Sequence, residues 1–170
     1  MKPSKIEKVF FNILLKSVCN FRPRWGTAIQ YFFFKKWGMK FRGKPNYISS
    51  KVWFDGTNYS LIEIGEQVTI SSYIRVLTHD WALHTVLKAF NVPQNKPVGI
   101  IKGVKIGDFS FIGTGSILMP GCEIGKGCII AGGTVVRGKV PDFSIYGGSP
   151  GVIIGNTKDY INKKLNIQIE

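Results

Sequence analysis

The chain has 170 residues, 44% of them hydrophobic, and a formal net charge of +13. This length suits one domain with a sizeable core, and the apolar content excludes an intrinsically disordered protein. The charge is uneven: residues 1–45 carry 11 Lys/Arg and one acidic residue, a net charge of +10, whereas the remainder carries +3. The basic character therefore belongs to an N-terminal segment.

The three cysteines, Cys19, Cys122 and Cys128, do not suggest a disulfide framework, and a cytosolic compartment is expected. Basic residues interrupt every apolar run near the N-terminus, so no membrane-spanning helix is predicted. Residues 1–20 lack the small-residue cleavage site of a secretory signal peptide. We therefore expect a cytoplasmic protein, with peripheral contact on the inner face of the cytoplasmic membrane as one option.

Residues 5–19 predict an amphipathic helix, and residues 24–37 predict a second helix rich in aromatic side chains. The apolar face of the first is formed by Ile6, Val9, Phe10, Ile13, Leu14 and Val18. The two helices either cover the end of the following domain or a neighbouring subunit, or lie in a membrane interface. Their density of basic and aromatic residues favours membrane contact. Nucleic acid is not expected as a partner, because the apolar face needs an apolar partner.

An aliphatic residue then recurs every six positions, which is the sequence signature of a solenoid. The period begins at Ile64, breaks over residues 82–97, resumes at Ile100 and ends at Val140. Its anchors are Ile64, Ile70, Val76, Ile100, Ile106, Ile112, Leu118, Ile124, Ile130 and Val136. A period of six fits a short strand followed by a corner, repeated, and fits neither a helix nor one long strand.

From Ile100 to Val136, a smaller or branched residue follows each anchor by four positions, and Cys122 and Cys128 occupy two of these places. We therefore predict that both cysteines pack inside the solenoid and are not reactive thiols. Residues 46–63 are interpreted as an irregular first coil, and Pro141 follows the last anchor. This predicts a helical segment over 1–45, a repeat domain over 46–155 and a tail over 156–170.

The repeat resembles that of the hexapeptide-repeat acyltransferases. Three stretches carry the resemblance further: Val76-Leu-Thr-His-Asp80, Ile112-Gly-Thr-Gly-Ser-Ile-Leu-Met-Pro-Gly121, and the ending from Ile130 through Tyr146-Gly-Gly-Ser-Pro150. They are similar to the maltose, galactoside and nodulation-type O-acetyltransferases, and most of all to enzymes that acetylate cell-surface polysaccharides. The resemblance implies an all-β fold, a left-handed parallel β-helix, here with an N-terminal α-helical segment and an extruded loop.

Acyl transfer from a thioester to a hydroxyl needs a base that works near neutral pH, and histidine suits that task. His79 matches the catalytic histidine of the family, and we expect it to act as general base on the acceptor hydroxyl. Asp55, from the preceding coil, is the preferred candidate to orient His79 or bind the acceptor. Asp80, Trp53 and Glu63 are further candidates, whereas His84 is interpreted as a residue of the loop.

The family binds acetyl-CoA as acyl donor in the groove between two subunits of a trimer. On that pattern, Thr114, Gly132 and Gly133 are expected along the pantetheine arm, and Arg137 and Lys139 near the nucleotide end. The family often has Lys or Arg after the terminal proline, where this chain has Gly151. The resemblance thus implies a homotrimer with sites between subunits and a sugar or glycan acceptor.

Other activities on the same scaffold stay open. A sugar N-acetyltransferase or an antibiotic acetyltransferase would use the same histidine, and these residues do not distinguish an amine from a hydroxyl acceptor. A γ-type carbonic anhydrase is disfavoured, because zinc would need three histidines and the chain has two; no metal is expected. A scaffold protein without enzymatic activity would not need His79.

Overall fold

A parallel β-helix with three faces follows an N-terminal helical hairpin in the computed structural model, which describes residues 3–56 and 58–169. The helices are α1 (Lys5–Phe21), α2 (Pro23–Lys36), α3 (Ala82–Ala89) and α4 (Thr157–Leu165), with one 3₁₀ turn at Tyr59–Leu61. The strands before the excursion are β1 (Lys40–Phe41), β2 (Tyr47–Ile48), β3 (Trp53–Phe54), β4 (Ile62–Ile64), β5 (Thr69–Ile70), β6 (Arg75–Val76) and β7 (His79–Asp80). Those after it are β8 (Ile100–Ile101), β9 (Val104–Ile106), β10 (Phe111–Ile112), β11 (Ile117–Leu118), β12 (Glu123–Ile124), β13 (Ile129–Ile130), β14 (Val135–Val136), β15 (Lys139–Val140), β16 (Ser144–Gly148) and β17 (Gly151–Asn156).

Each turn of the solenoid adds one strand to each of three sheets. Sheet A contains β1, β4, β9, β12 and β15; sheet B contains β2, β5, β10, β13, β16 and β17; sheet C contains β3, β6, β11 and β14. Within them the pairing is parallel and in register, except for the terminal antiparallel pair β16 and β17. Ile112 is the register partner of Ile130, so one coil spans 18 residues, or three sixes.

The core consists of the aliphatic anchors that the period predicts. Ile70, Ile112 and Ile130 stack inside sheet B with no exposed surface. The smaller residues that follow the anchors by four positions lie beside them. Cys122 and Cys128 are two of these residues, and their burial confirms the predicted packing role. Alternation along each two-residue strand directs one side chain inward and its neighbour outward.

The prediction that the six-residue period resumes at Ile100 is wrong. Ile100 is 43% exposed and belongs to β8, which pairs antiparallel with β7 outside the three sheets. The regular coil resumes at Val104. After the excursion, β8 pairs with β7 as a hairpin. Ile100 therefore lies opposite Asp80 and does not stack on a residue of a neighbouring coil.

The excursion over residues 82–97 contains a helix that the sequence analysis did not predict. Helix α3 spans Ala82–Ala89 and buries none of its side chains in the described chain. His84 lies in this helix, and its Nδ1 contacts Oε1 of Gln94 in the segment that follows. The prediction of His84 as a loop residue is therefore corrected to a helix residue, although it remains in the excursion.

The N-terminal hairpin is part of the core and not an appended segment. Ser4 and Glu7 form a capping box at the start of α1, and Pro23 begins α2. The Phe11 ring lies 5.1 Å from that of Trp37, and Gln30 Nε2 donates to the Ile48 carbonyl at 2.8 Å. The helices thus cover the first coil, which begins at Lys40, before the predicted start at residue 46.

Two faces of α1 differ in burial. Phe11 and Leu15 are buried against α2 and the first coil. The predicted apolar face divides, because Leu14 and Val18 are half-buried while four of its residues are exposed: Ile6, Val9, Phe10 and Ile13. None of the described helices is both long and apolar enough to cross a bilayer.

The C-terminal end closes the solenoid with β16 and β17, and α4 lies within the predicted tail. At Gly151 a Cβ would lie 2.2 Å from the Tyr146 ring and 2.9 Å from the Val135 carbonyl oxygen. A lysine or arginine cannot occupy this position without displacing that ring. This contact is a steric reason for glycine at a position where the family often has lysine or arginine.

The two buried thiols test the prediction that Cys122 and Cys128 pack inside the solenoid. Burial raises the pKa of Cys122 to about 12 and also raises that of Cys128, so both stay as unreactive neutral thiols at pH 8. We expect iodoacetamide at pH 8 to modify the half-buried Cys19 first and to leave Cys122 and Cys128 unmodified until guanidinium is added. Peptide mass spectrometry measures the extent of modification at each cysteine. Labelling of Cys122 in the native protein as fast as that of Cys19 would contradict the predicted inward packing.

Candidate active site at a corner of the solenoid

Two consecutive coils bring Asp55 and His79 to the same corner, where sheet C gives way to sheet A. Phe54 in β3 is the register partner of Val76 in β6. Asp55 directly follows the first strand, and Thr78 and His79 follow the second by two and three residues. Because the two strands are stacked in register, the residues after them meet at this corner.

The carboxylate of Asp55 binds His79 and its neighbour. Asp55 Oδ2 lies 2.5 Å from His79 Nδ1 and accepts from the Thr78 hydroxyl at 2.6 Å and the Thr78 N–H at 3.1 Å. Asp55 is 2% exposed, whereas the His79 side chain is 31% exposed. These donors offset the cost of burying a carboxylate. They also fix the ring, with Nδ1 engaged and Nε2 as the nitrogen that remains for a ligand.

The other candidates for orienting the histidine have different partners. Asp80 Oδ1 accepts from the Ala82 N–H at 2.8 Å, at the start of α3. Glu63 lies on the outer face of sheet A, 3.7 Å from Arg42. Trp53 is exposed on the outer face of sheet C, two residues before Asp55. Asp55 is thus the carboxylate that contacts His79, and the roles assigned to Asp80 and Trp53 remain predictions.

Thr114, Gly132 and Gly133 meet at a different corner, between sheets B and C. The Gly133 N–H donates to the Thr114 carbonyl at 2.8 Å, and a Cβ on Gly132 would lie 3.2 Å from the same oxygen. Gly133 has a φ of +70°, which favours glycine. All three residues are exposed, so their backbone is accessible to an extended ligand.

Arg137 and Lys139 are exposed but do not share a face. Arg137 follows β14 at the corner between sheets C and A, whereas Lys139 projects from sheet A and lies 3.7 Å from Glu123. Within one chain, the width of sheet C separates the corner of His79 from the corner of Thr114. One chain therefore does not bring Thr114, Gly132 and Gly133 against the histidine, whereas Arg137 lies at the same border as His79, two coils further along the solenoid.

Sequence reasoning missed two residues at the His79 corner. Thr78 donates twice to Asp55, and the Trp81 ring centre lies 6.1 Å from that of His79. Thr78 belongs to the Thr-His-Asp stretch, so its place directly before the histidine was the available signal. In the described ranges, no group of three His, Cys, Asp or Glu residues is arranged to hold a metal ion.

Comparison with known proteins finds relatives of the repeat region. The family model described as bacterial transferase hexapeptide (six repeats) matches residues 103–138. YvoF of Bacillus subtilis, a candidate acetyltransferase, is 30% identical over 109 residues, which cover 64% of this chain and 55% of YvoF. WbbJ of Escherichia coli, a candidate O-acetyltransferase of lipopolysaccharide biosynthesis, is 26% identical over 96 residues, 55% of this chain and 49% of WbbJ. The chain thus spans about half the length of these curated relatives.

A solved galactoside acetyltransferase in complex with coenzyme A superimposes with a TM-score of 0.59 at 18% identity. The match covers 92% of this chain and 84% of that structure. At this identity the likeness establishes the fold, which confirms the predicted left-handed parallel β-helix.

Proposed function

We propose that the chain is a hexapeptide-repeat transferase that transfers an acetyl group from acetyl-CoA to a sugar hydroxyl, with His79 as general base. The observation that carries the proposal is the 2.5 Å contact between His79 Nδ1 and the buried Asp55 carboxylate. The likeness to WbbJ supports a cell-surface polysaccharide, or its lipid-linked precursor, as the acceptor class.

The histidine corner suits direct transfer. Asp55 accepts a hydrogen bond from the Nδ1–H of His79, which leaves Nε2 unprotonated and able to accept the proton of the acceptor hydroxyl. The acceptor oxygen then forms a bond to the thioester carbonyl carbon, and the carbon–sulfur bond breaks. His79 returns the proton to the departing thiolate of CoA. Asp55 orients the ring and stabilises the imidazolium that forms between these steps.

The donor would occupy the exposed corner at Thr114, Gly132 and Gly133. Backbone groups there are accessible, and glycine leaves room for a narrow pantetheine arm. Arg137 would supply positive charge toward the phosphates, and Lys139 would do so less effectively because Glu123 lies near it. Since this corner and His79 lie on opposite borders of sheet C, the complete site would form between two copies in a trimer.

The exposed face of α1 would contact an anionic membrane surface. Ile6 is 82% exposed, and Val9, Phe10 and Ile13 beside it are also exposed. The segment 1–45 has a net charge of +10, which complements anionic headgroups. An apolar face flanked by basic side chains is typical of helices that lie in the membrane interface. This contact would bring the enzyme close to a lipid-linked acceptor.

The role of the base is tested by His79→Ala, for which we expect a loss of about 10²–10⁴-fold in the turnover number. Release of the CoA thiol, followed with a panel of sugars, is the measurement. His84→Ala is the matched control, because His84 lies in α3 and contacts Gln94, and it should retain activity. Unchanged turnover in His79→Ala, or equal loss in both variants, would refute the assignment.

A site shared between subunits predicts complementation. We expect His79→Ala and Thr114→Trp chains to be inactive alone, and their co-expression in equal amounts to restore roughly a quarter of wild-type activity. About three quarters of random trimers are mixed, and one site in three within each joins an intact histidine to an intact groove. Each variant alone is the control, and light scattering checks the trimer. No recovery in mixed trimers would contradict the shared site.

Membrane contact is tested with substitutions, because deleting 1–45 would also remove the core residues Phe34 and Trp37. We expect co-sedimentation with vesicles that contain phosphatidylglycerol but not with pure phosphatidylcholine. Ile6→Ser with Ile13→Ser should weaken it by roughly tenfold or more, since two isoleucines no longer enter the interface. The control is Leu165→Ser with Ile167→Ser, exposed residues at the other end of the solenoid. Equal binding to both vesicle types would exclude this contact.

A further inference from the structure

A cavity of about 260 Å³ lies where the helical hairpin meets the first coil. Helix α1 contributes Lys8 and Asn12 to its wall, and Trp37 follows α2. The first coil contributes Trp53, Gly56 and Tyr59. We call this space the hairpin cavity; none of the residues assigned to the acetyl-CoA groove lines it.

The hairpin cavity lies beside the Asp55–His79 pair. Gly56 in its wall directly follows Asp55, whose Oδ2 contacts His79. Burial, and then the nearby charge of Asp55, raise the pKa of Tyr59, so this wall residue and the carboxylate are close enough to interact. Adjacent coils of a parallel sheet are about 4.8 Å apart. A ligand in the cavity is therefore within about one coil of the histidine.

The wall of the hairpin cavity offers hydrogen-bond donors and one positive charge. Lys8 is the charged residue among the described lining residues, and none of them is acidic. Its Nζ lies near the corner, since a Cβ on Gly56 would be 3.6 Å from it. Trp37 is 4% exposed, and its indole N–H has no hydrogen-bond partner in the described chain. A buried donor without a partner costs free energy.

The remaining wall is aromatic. Tyr59 stacks on Trp37 at 5.5 Å between ring centres, and Trp53 is exposed at the rim. Flat aromatic faces suit the apolar face of a sugar ring, whereas a lysine in a wall whose lining residues include no acid suits a negatively charged group. The two features lie together in one cavity next to the catalytic pair.

We propose that the acceptor carries an anionic oxygen group, a phosphate or a carboxylate, next to the sugar that is acetylated, and that Lys8 binds this group in the hairpin cavity. The inference rests on the proposed acetyl transfer and names the class of its acceptor. Lys8 acts as a specificity residue: it contacts the anion and takes no part in the proton transfer. The N-terminal hairpin thus selects the acceptor as well as covering the first coil.

The test is a binding titration of the full chain without acetyl-CoA, with galactose, galactose 1-phosphate and galacturonate as probes at constant ionic strength. Tryptophan fluorescence is the readout, because Trp37 and Trp53 line the cavity. We expect at least one charged probe to bind roughly tenfold or more tightly than galactose, as a hydrogen bond to a charged group implies. Preference for the phosphate or for the carboxylate identifies the source of the charge.

Variants distinguish the effect of Lys8 from that of the positive charge of the helix as a whole. Lys8→Met should remove most of the preference for the charged probe, and Lys8→Arg should keep it. Lys5→Met is the matched control, because Lys5 is exposed on the same helix and does not line the cavity. Absence of a preference in the wild type, or equal loss in Lys5→Met and Lys8→Met, would overturn the proposal.

The two proposals fail separately. His79→Ala should still bind the charged probe, since binding does not need the base. A chain that binds the anion but transfers no acetyl group would contradict only the proposed activity. A chain that transfers acetyl groups but shows no preference for charged acceptors would contradict only the role of Lys8.

Discussion

Side chains such as Ile70, Ile112 and Ile130 stack in register along the inside of sheet B, and the other parts of the structure depend on this stacking. Each buries its whole surface, and a fully buried isoleucine contributes about 1.5–3 kcal/mol of transfer free energy. Because successive side chains on a strand point to opposite faces, a shift in register by one residue would turn every inward residue outward. The stacking therefore sets the position of each corner on the surface.

The corner that holds Asp55 and His79 shows how the solenoid places polar groups that are distant in sequence. Asp55 and His79 are 24 positions apart, and the register of β3 and β6 brings them into contact. Thr78 completes the site by donating two hydrogen bonds to the same carboxylate oxygen. A buried carboxylate with three donors is held in one place, which is what a histidine base needs from its partner.

The hairpin of α1 and α2 joins the scaffold to the acceptor side of the site. Its inner residues Phe11, Phe34 and Trp37 belong to the same core as the first coil. Lys8 lies at the border of that inner face, whereas Ile6 and Ile13 face away from the protein. If both proposals hold, one helix would contact a membrane on one side and an anionic acceptor on the other, without a change in the coils that hold His79.

The sequence by itself determined the solenoid and the inward cysteines, and it singled out His79 as a candidate, because a fixed period and a short motif are local patterns. It also favoured Asp55 over Asp80, since neighbouring residues on a strand point to opposite faces. It failed at Ile100, where the period continues but the chain forms a hairpin arm, because period alone does not show which strand is the partner. Helix α3 was missed for a related reason: it buries nothing in the described chain, so no core pattern marks it.

Only the tertiary structure decided which side chains meet. It placed Lys8 of α1 against the first coil, brought Thr78 to Asp55, and put Lys139 beside Glu123 on another face. It also separated the predicted donor corner from His79 by the width of a sheet. These outcomes depend on contacts between elements far apart in the chain, and such contacts leave no period or spacing in the sequence.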